Sequence, residues 1–458
     1  MTETTLASNA EALRGLCDGN VFLPGDPGYD AARTPWNVAV DQRPAAVAVP
    51  GSVEHVIEVV KAAARAGLRV LPQSTGHGAI ALGGRLGDVV LLRLAELTGV
   101  TIDPVRQTAR VVGATLWQEV VEAAAAHGLA ALHGSAPDVA VAGYTLGGGL
   151  SWYARKHGLA CNQVVAAEVV LADGTLVRAD ADRHPNLFWA LRGGGGNFGV
   201  VTALELKLLP VSQVYAGMML WDVARAGLVC RAWAEWTHGL ADEATTALRL
   251  LSVPPMPEVP EFIRGRQLVV IDGAILTDPE QAAALLAPLR ALQPELDTFG
   301  PMPAAGLTRL HLDPEGPTPS VGDHLTLTDF DAFAADALVT AAGADSGTTL
   351  LAAEVRHLGG ALDRPDPAGG ALNRLDAGYG VHLVAVAATP ELGARGRADA
   401  ARAAAALRPW SDGRLLPTFT EEPAEAASFF GPTTLARLRA IRAQYDPSGT
   451  FLANHPLD

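Results

Sequence analysis

The sequence predicts an α+β fold in three regions, and three observations carry that expectation. Residues 45–71 read as strand, helix and strand running into a Gly-rich turn, with further β-branched strands at Asp88 to Leu92 and Thr108 to Val112. No Gly-x-Gly-x-x-Gly opens a helix after the first strand, which disfavours a Rossmann nucleotide site. Beyond Pro210 the texture changes to strand-like runs interleaved with helices, which predicts a second sheet with helices on one face. With 458 residues, 49% hydrophobic and 18% charged, the chain has material for two or three lobes and little for extensive disorder.

Residues 1–35 offer little beyond a short helix around Ala10 to Leu16. From Ser52 to Ala66, Val53, Val56, Ile57 and Val60 recur at helical spacing, with Ser52 as N-cap and Gly67 as the stop. The strand at Arg69-Val70-Leu71 then enters Pro72-Gln73-Ser74-Thr75-Gly76-His77-Gly78. Here Ser74, Gly76 and Gly78 can bring backbone N–H groups close to a phosphate around one imidazole, which suits a large anionic cofactor. Alone, such a turn also fits a satisfied polar histidine. Thr115 to Ala126 reads as a helix capped by Thr115.

Two more small-residue stretches follow. In 134–149, Gly134-Ser135-Ala136-Pro137-Asp138 leads to Val141-Ala142-Gly143 and then Gly147-Gly148-Gly149, where a planar ring could lie against backbone. The alternative for this stretch is a tight solvent-facing loop with no ligand. Val164 to Leu171 reads as a strand, Asp173-Gly174 as a hairpin turn, and Asn186 to Arg192 as a short apolar helix. Gly193 to Gly196, Asn197 and Phe198 then lead through Gly199 into a strand at Val200 to Leu208 that includes Val201.

Past Pro210, strands are expected at Tyr215 to Val223, Thr245 to Val253, Leu268 to Leu276, Thr349 to Leu358 and Val381 to Ala388. Pro279 to Leu292 reads as a helix with Asp278 as N-cap and Pro279 at its first position. Pro254 to Pro257 and Asp313 to Pro319 read as loops. In an extended strand Glu354 and Arg356 share one face and His357 takes the other.

The three glycine stretches, in this order, resemble the FAD domain of berberine-bridge-enzyme-like flavoproteins of the vanillyl-alcohol oxidase superfamily. Trp152, Arg155, Lys156, Gly158 and Leu159 continue the likeness, as do Phe429-Phe430-Gly431, Arg437-Leu438, Tyr445-Asp446-Pro447, Phe451 and Asn454 near the end. The resemblance implies a two-lobed FAD-binding domain of the p-cresol methylhydroxylase type over 1–209. It also implies a substrate domain over 210–415 with an antiparallel sheet covered by helices, and a return to the FAD domain over 416–458. The implied FAD contacts are Gln73, Ser74, Thr75, Gly76, His77, Gly78, Pro137, Val141, Ala142, Gly143, Gly147, Gly148, Gly149, Gly199, Val201 and Asn454, with a covalent flavin bond at His77. Many relatives carry a second linking cysteine where Ala136 stands, so at most one link is expected here. Relatives with a small valine matching Val141 tend to admit oxygen, which implies an oxidase.

One departure limits the carry-over. Leu416-Pro417-Thr418-Phe419 stands where many relatives read Tyr-x-Asn-Phe, so the usual catalytic tyrosine is missing. Arg356-His357-Leu358-Gly359-Gly360 keeps the family's substrate-sheet element, and Glu354 on that strand is the leading candidate for the proton acceptor, with Tyr379 as runner-up. A structural Glu354–Arg356 pair is the alternative. Tyr144, Trp152, Tyr215, Trp221, His311, His324 and His382 are weaker pocket candidates. The expected activity is hydride removal from an alcohol, amine or specialised metabolite, with electrons passed to oxygen. A redox-neutral flavin cyclase or isomerase, and a non-catalytic flavin holder, are the alternatives.

Composition narrows the partners. Thirty-four Lys+Arg against 49 Asp+Glu give a net charge of −15, which repels nucleic acid and anionic membrane surfaces. Cys17, Cys161 and Cys230 are odd in number and lack metal spacing, which suits a reducing cytoplasm and no metal site. Met1 to Asn20 shows no basic-then-apolar leader pattern, and no long uncharged apolar run suggests a membrane span.

Overall fold

The computed structural model describes residues 9–83, 86–257 and 259–458. The first eight residues of the N-terminal stretch discussed above therefore lie outside the described residues. The first sheet holds β1 (Val21–Phe22), β2 (Ala46–Ala48), β3 (Arg69–Gln73) and β4 (Val89–Arg93) in the order β1-β2-β4-β3. β2, β4 and β3 run parallel, and the helix Val53–Ala66 makes the crossover between β2 and β3. That helix starts where expected: the Ser52 side chain accepts from the His55 N–H, and Gly67 ends it in the left-handed region at φ 66°. Its Val56, Val59, Val60 and Ala63 are fully buried against the sheet.

A second, antiparallel sheet follows the order β5-β6-β9-β7-β8, from β5 (Val100–Asp103), β6 (Thr108–Val112), β7 (Val164–Val170), β8 (Leu176–Ala179) and β9 (Val200–Lys207). Gly174 turns the β7–β8 hairpin at φ 78°. The next helix, Trp117–Ala125, is not capped by Thr115. The Thr115 hydroxyl instead accepts from the Gly99 N–H and donates to the Val112 carbonyl. The first helical N–H groups, of Trp117 and Gln118, donate to the carbonyls of Val139 and Pro137. The helix start and the second small-residue stretch thus satisfy each other.

The third sheet has eight strands and is antiparallel throughout. Its path is β13-β10-β12-β11-β16-β17-β15, with β14 also beside β10. These are β10 (Gln213–Asp222), β11 (Ala244–Ser252), β12 (Gln267–Ile275), β13 (Leu296–Asp297), β14 (Gly300–Pro303), β15 (Ser320–Leu327), β16 (Leu350–His357) and β17 (Tyr379–Val386). Alternation sends Tyr215, Met219 and Trp221 of β10, Val355 and His357 of β16, and Tyr379 and Val381 of β17 to one face. The helices Ala226–His238, Ala332–Ala342 and Pro390–Leu407 cover that face and share one core with it, centred on the fully buried Trp233 and Phe330.

Two readings differ here. The helix expected over 279–292 breaks into Pro279–Leu285 and Ala287–Arg290, because Pro288 lacks the N–H that would continue the ladder. Strand β15 was not foreseen, since Asp323 interrupts its apolar face and Gly322, His324 and Thr326 make the other face polar.

Candidate active site

The three glycine stretches converge with the chain's end. His77 lies in the turn after β3 with its ring stacked on Trp36, centroids 4.0 Å apart and planes 18° from parallel. The Thr75 hydroxyl meets His77 Nδ1 at 2.7 Å. His77 Nε2 is buried, has no hydrogen-bond partner and stands 4.0 Å from Asp138 Oδ1, itself buried and unpartnered. Burial lowers the imidazole's pKa to about 4, against the opposing pull of Asp138. The other Asp138 oxygen, Oδ2, accepts from Trp36 Nε1 at 2.7 Å and from the Gly316 N–H at 2.8 Å. Asn454 Nδ2 donates to the Gly78 carbonyl at 2.9 Å, where a Cβ on Gly78 would collide with it. Asn197 donates to the carbonyls of Gly194 and His455, and the Gly195 N–H donates to the Leu146 carbonyl.

Other candidate FAD residues divide by what surrounds them. Gln73 is buried and accepts from Arg93, and a Cβ on Gly76 (φ 88°) would strike Pro35. Pro137 caps the Trp117 helix, while Val141 and Ala142 open a helix, Val141–Leu146, instead of the solvent-facing loop that was the alternative reading. The triple glycine makes room for protein: Cβ atoms on Gly147, Gly148 and Gly149 would meet Thr418, Leu372 and Tyr144 at 2.5–2.9 Å. Gly199 likewise packs on Val169 and Val170, and Val201 is buried within β9. Gly143 differs, being exposed with open space around it. Thr145 Oγ1 and Tyr144 Oη nearby are buried without partners. Unmet polar atoms beside His77 and on the Val141 helix, with open backbone at Gly143, fit a planar, polar cofactor such as FAD.

On the third sheet, the face away from the helices carries a polar row. Cross-strand pairing aligns His324 with His382, His382 with Glu354, and Glu354 with Arg249. One step along lie Arg356 and Asp272, both opposite Ala247. Arg356 Nε donates to Glu354 Oε1 at 2.5 Å and its Nη2 to Ser135 Oγ at 3.3 Å, joining this face to the second small-residue stretch. His311 bridges two carboxylates, with Nδ1 2.9 Å from Asp272 Oδ2 and Nε2 3.2 Å from Glu354 Oε1, and Arg249 pairs with Asp272. Trp152 and Phe419 flank Arg356.

These contacts decide the protonation states. Burial pushes the Glu354 carboxyl up, but Arg356 and His311 outweigh it and hold the group well below the ordinary carboxylate range. Glu354 is therefore an ionised, clamped carboxylate, not a base tuned upward by desolvation as its burial alone would suggest. Burial and Arg249 oppose a charge on His311, yet Asp272 and Glu354 raise its pKa to about 9. His382, lowered to about 4 by burial first, is neutral, and its Nδ1 has no partner. His324 is fixed as a neutral ring by the Val381 carbonyl on Nδ1 and the Leu416 N–H on Nε2.

Tyr379 is not on this face. It pairs with His357, stacks on that ring at 5.3 Å and shares a hydrogen bond with the Thr237 hydroxyl under the helices. The runner-up assignment of the base is thereby corrected: Tyr379 lies three residues from His382, and an odd separation in a strand changes faces. Tyr215 and Trp221 lie on the helix side too. Trp152, His311, His324 and His382 are at the site, and Arg249 and Asp272 join them unforeseen; an isolated Arg or Asp in an apolar strand is the signal that could have found them.

The cluster predicts a pH profile. His311, raised from 6.5 to about 9, contributes stability that is complete below the unfolded value and lost as pH climbs through the folded one. Glu354 and Asp272, both lowered, contribute above the ordinary carboxylate range and lose it as pH falls. Thermal melting should therefore plateau between, and His311→Gln should flatten the decline between about pH 7 and 9. An alkaline limb identical in the two proteins would show that His311 is not the cation.

Residues 44–180 match the family model described as FAD binding domain. The chain is 38% identical over 177 residues to a xylooligosaccharide oxidase of Thermothelomyces thermophilus, covering 38% of this chain and 35% of that one. The aligned stretches span less than half the length of the curated relatives matched first. Among solved structures, 6-hydroxy-D-nicotine oxidase of Arthrobacter nicotinovorans superposes with a TM-score of 0.80 at 25% identity, over 96% of this chain and 97% of that one. The BBE-like protein 1 of Physcomitrella patens gives 0.83 at 19% identity over the full length of both chains, which speaks to fold alone.

Proposed function

We propose that this chain, which carries an FAD-binding domain and has the two-part fold of the berberine-bridge-enzyme-like flavoproteins, is an FAD-linked oxidase. It takes a hydride from an alcohol or amine carbon of a small molecule and passes the electrons to oxygen. The observation that carries this reading is the polar row Arg249–Glu354–His382–His324, tied through Arg356 and Ser135 to the stretch that contains Val141 and Gly143. Bound FAD supplies a hydride acceptor. The protein's share is to orient the donor beside Arg356, exclude water and receive a proton on this face, with Glu354, kept ionised by Arg356 and His311, as acceptor.

In the same reading 1–209 with 416–458 hold FAD and 210–415 hold the substrate. FAD contacts come from the turn at Gln73 to Gly78, from Pro137, Val141, Ala142, Gly143 and Gly147 to Gly149, from Gly199 and Val201, and from Asn454. The one covalent link is through His77, since Ala136 offers no thiol. Three buried free cysteines support a cytoplasmic setting, and no described helix is long and apolar enough to cross a membrane.

Anaerobic mixing with xylobiose and 6-hydroxy-D-nicotine, the substrate types named for relatives, tests the reading. Bleaching of the flavin by one of them, with hydrogen peroxide on readmitting air, is expected. Product formed without bleaching would overturn it. Oxygen access through the buried Val141 position gives a further expectation: Val141→Leu slows reoxidation several-fold and leaves reduction nearly unchanged. Equal reoxidation rates would show that Val141 is not the gate.

A further inference from the structure

The cage around His77 contains a group that none of the functional readings above uses. Asp138 is fixed by two donors on Oδ2, Trp36 Nε1 and the Gly316 N–H, so its carboxylate plane has little freedom. Its remaining oxygen, Oδ1, is buried, has no partner and faces His77 Nε2, which is equally buried and unpartnered. Two facing buried polar atoms with no other partner are rare, because each costs its own desolvation. Trp36 serves both halves of the arrangement, stacking on the imidazole and holding the carboxylate. Among the described residues no other charged side chain pairs with His77, and the other polar contact on the ring is the Thr75 hydroxyl at Nδ1.

We propose that Asp138 is the proton acceptor for covalent flavin attachment: it takes the Nε2 proton of His77 and so frees Nδ1 to form the bond. This rests on the covalent reading above and deepens it. An imidazole that keeps its N–H proton would become a cation on forming a new N–C bond, and this buried site disfavours the cation. A carboxylate on the far nitrogen removes that cost, as a buried aspartate does for a histidine base elsewhere. The step balances as follows. The ring-methyl carbon of the flavin gives up one proton, which passes to the reduced flavin, His77 gives one to Asp138, the N–C bond forms, and dioxygen then takes the two electrons together with these two protons as hydrogen peroxide. Asp138 is thus a residue of cofactor maturation.

The test uses full-length protein and reads flavin retained after acid precipitation, together with the intact mass. Wild type should give a yellow pellet and the mass of chain plus one FAD. Asp138→Asn, which keeps an oxygen for Trp36 and Gly316, should bind FAD that is released by acid, with the covalent fraction at least tenfold below wild type. Asp138→Glu should restore part of it. If Asp138→Asn is purified without flavin, its apoprotein and that of wild type, both from riboflavin-starved cells, are incubated with FAD in air. Bond growth at the wild-type rate overturns the proposal, and growth at least tenfold slower, with an unchanged melting temperature, supports it. A fully covalent Asp138→Asn overturns the proposal while leaving the His77 link intact. A colourless wild-type pellet overturns both.

Discussion

Replacing His77 by alanine is expected to take covalent FAD from essentially all of the purified protein to none. The imidazole is the strongest nucleophile in the turn after β3, and it is already positioned: Trp36 stacks on it, Thr75 holds Nδ1 and Asp138 faces Nε2. Ala136 offers no thiol for a second link. His77→Ala should still fold, because the side chain is not part of a hydrophobic core cluster, and it should bind FAD non-covalently through the remaining contacts. Acid precipitation of the variant should leave a white pellet and a yellow supernatant. A yellow pellet would move the attachment to another residue.

Glu354→Gln should produce the largest effect on the substrate side, and it should be double. The carboxylate sits 4% exposed between Arg356 and protonated His311, so its removal leaves two cations facing each other without their common partner. Breaking such a buried pair costs roughly 3–5 kcal/mol, visible as a lower melting temperature. Loss of a positioned proton acceptor lowers the rate of anaerobic flavin reduction at least tenfold, within the roughly 10²–10⁴-fold such groups contribute. The two effects separate cleanly, since reduction is measured on the folded holoenzyme well below its melting point. Destabilisation with a wild-type reduction rate would make Glu354 a structural ion and leave His382, neutral and with Nδ1 unpartnered, as the group to substitute next.

Local signals carried much of the fold. Ser52, Gly67, Asp278 and Gly174 each act through their immediate neighbours, and each does in the structure what its residue type dictates. Thr115 failed as a cap because a hydroxyl three residues after the Val112 carbonyl closes that turn first. The triple glycine was legible as close approach, but not as approach by Thr418, Leu372 and Tyr144, two of which lie more than two hundred residues away in sequence. Tyr379 was misplaced for a related reason. Strand alternation relates residues within β17, whereas its phase against Glu354 depends on the register between strands, which only the cross-strand pairing of Glu354 with His382 reveals. Asp272, Arg249 and Asp138 gain meaning only from partners brought in by the fold.

The hydrogen bond from Asn454 to the Gly78 carbonyl spans 376 residues, and Phe451 pairs alongside Val70 in the strand that leads into the His77 turn. During synthesis the His77 turn leaves the ribosome and then waits for a wall made 376 residues later. At roughly 5–20 residues per second that delay is on the order of tens of seconds. Loop closure over such a span is entropically costly and slow compared with the local steps of either lobe. Covalent flavin would then report that closure: chains broken off before Phe451 could shelter the cofactor only loosely, and the yellow, acid-stable fraction of a cell extract would count the molecules in which the closure has formed.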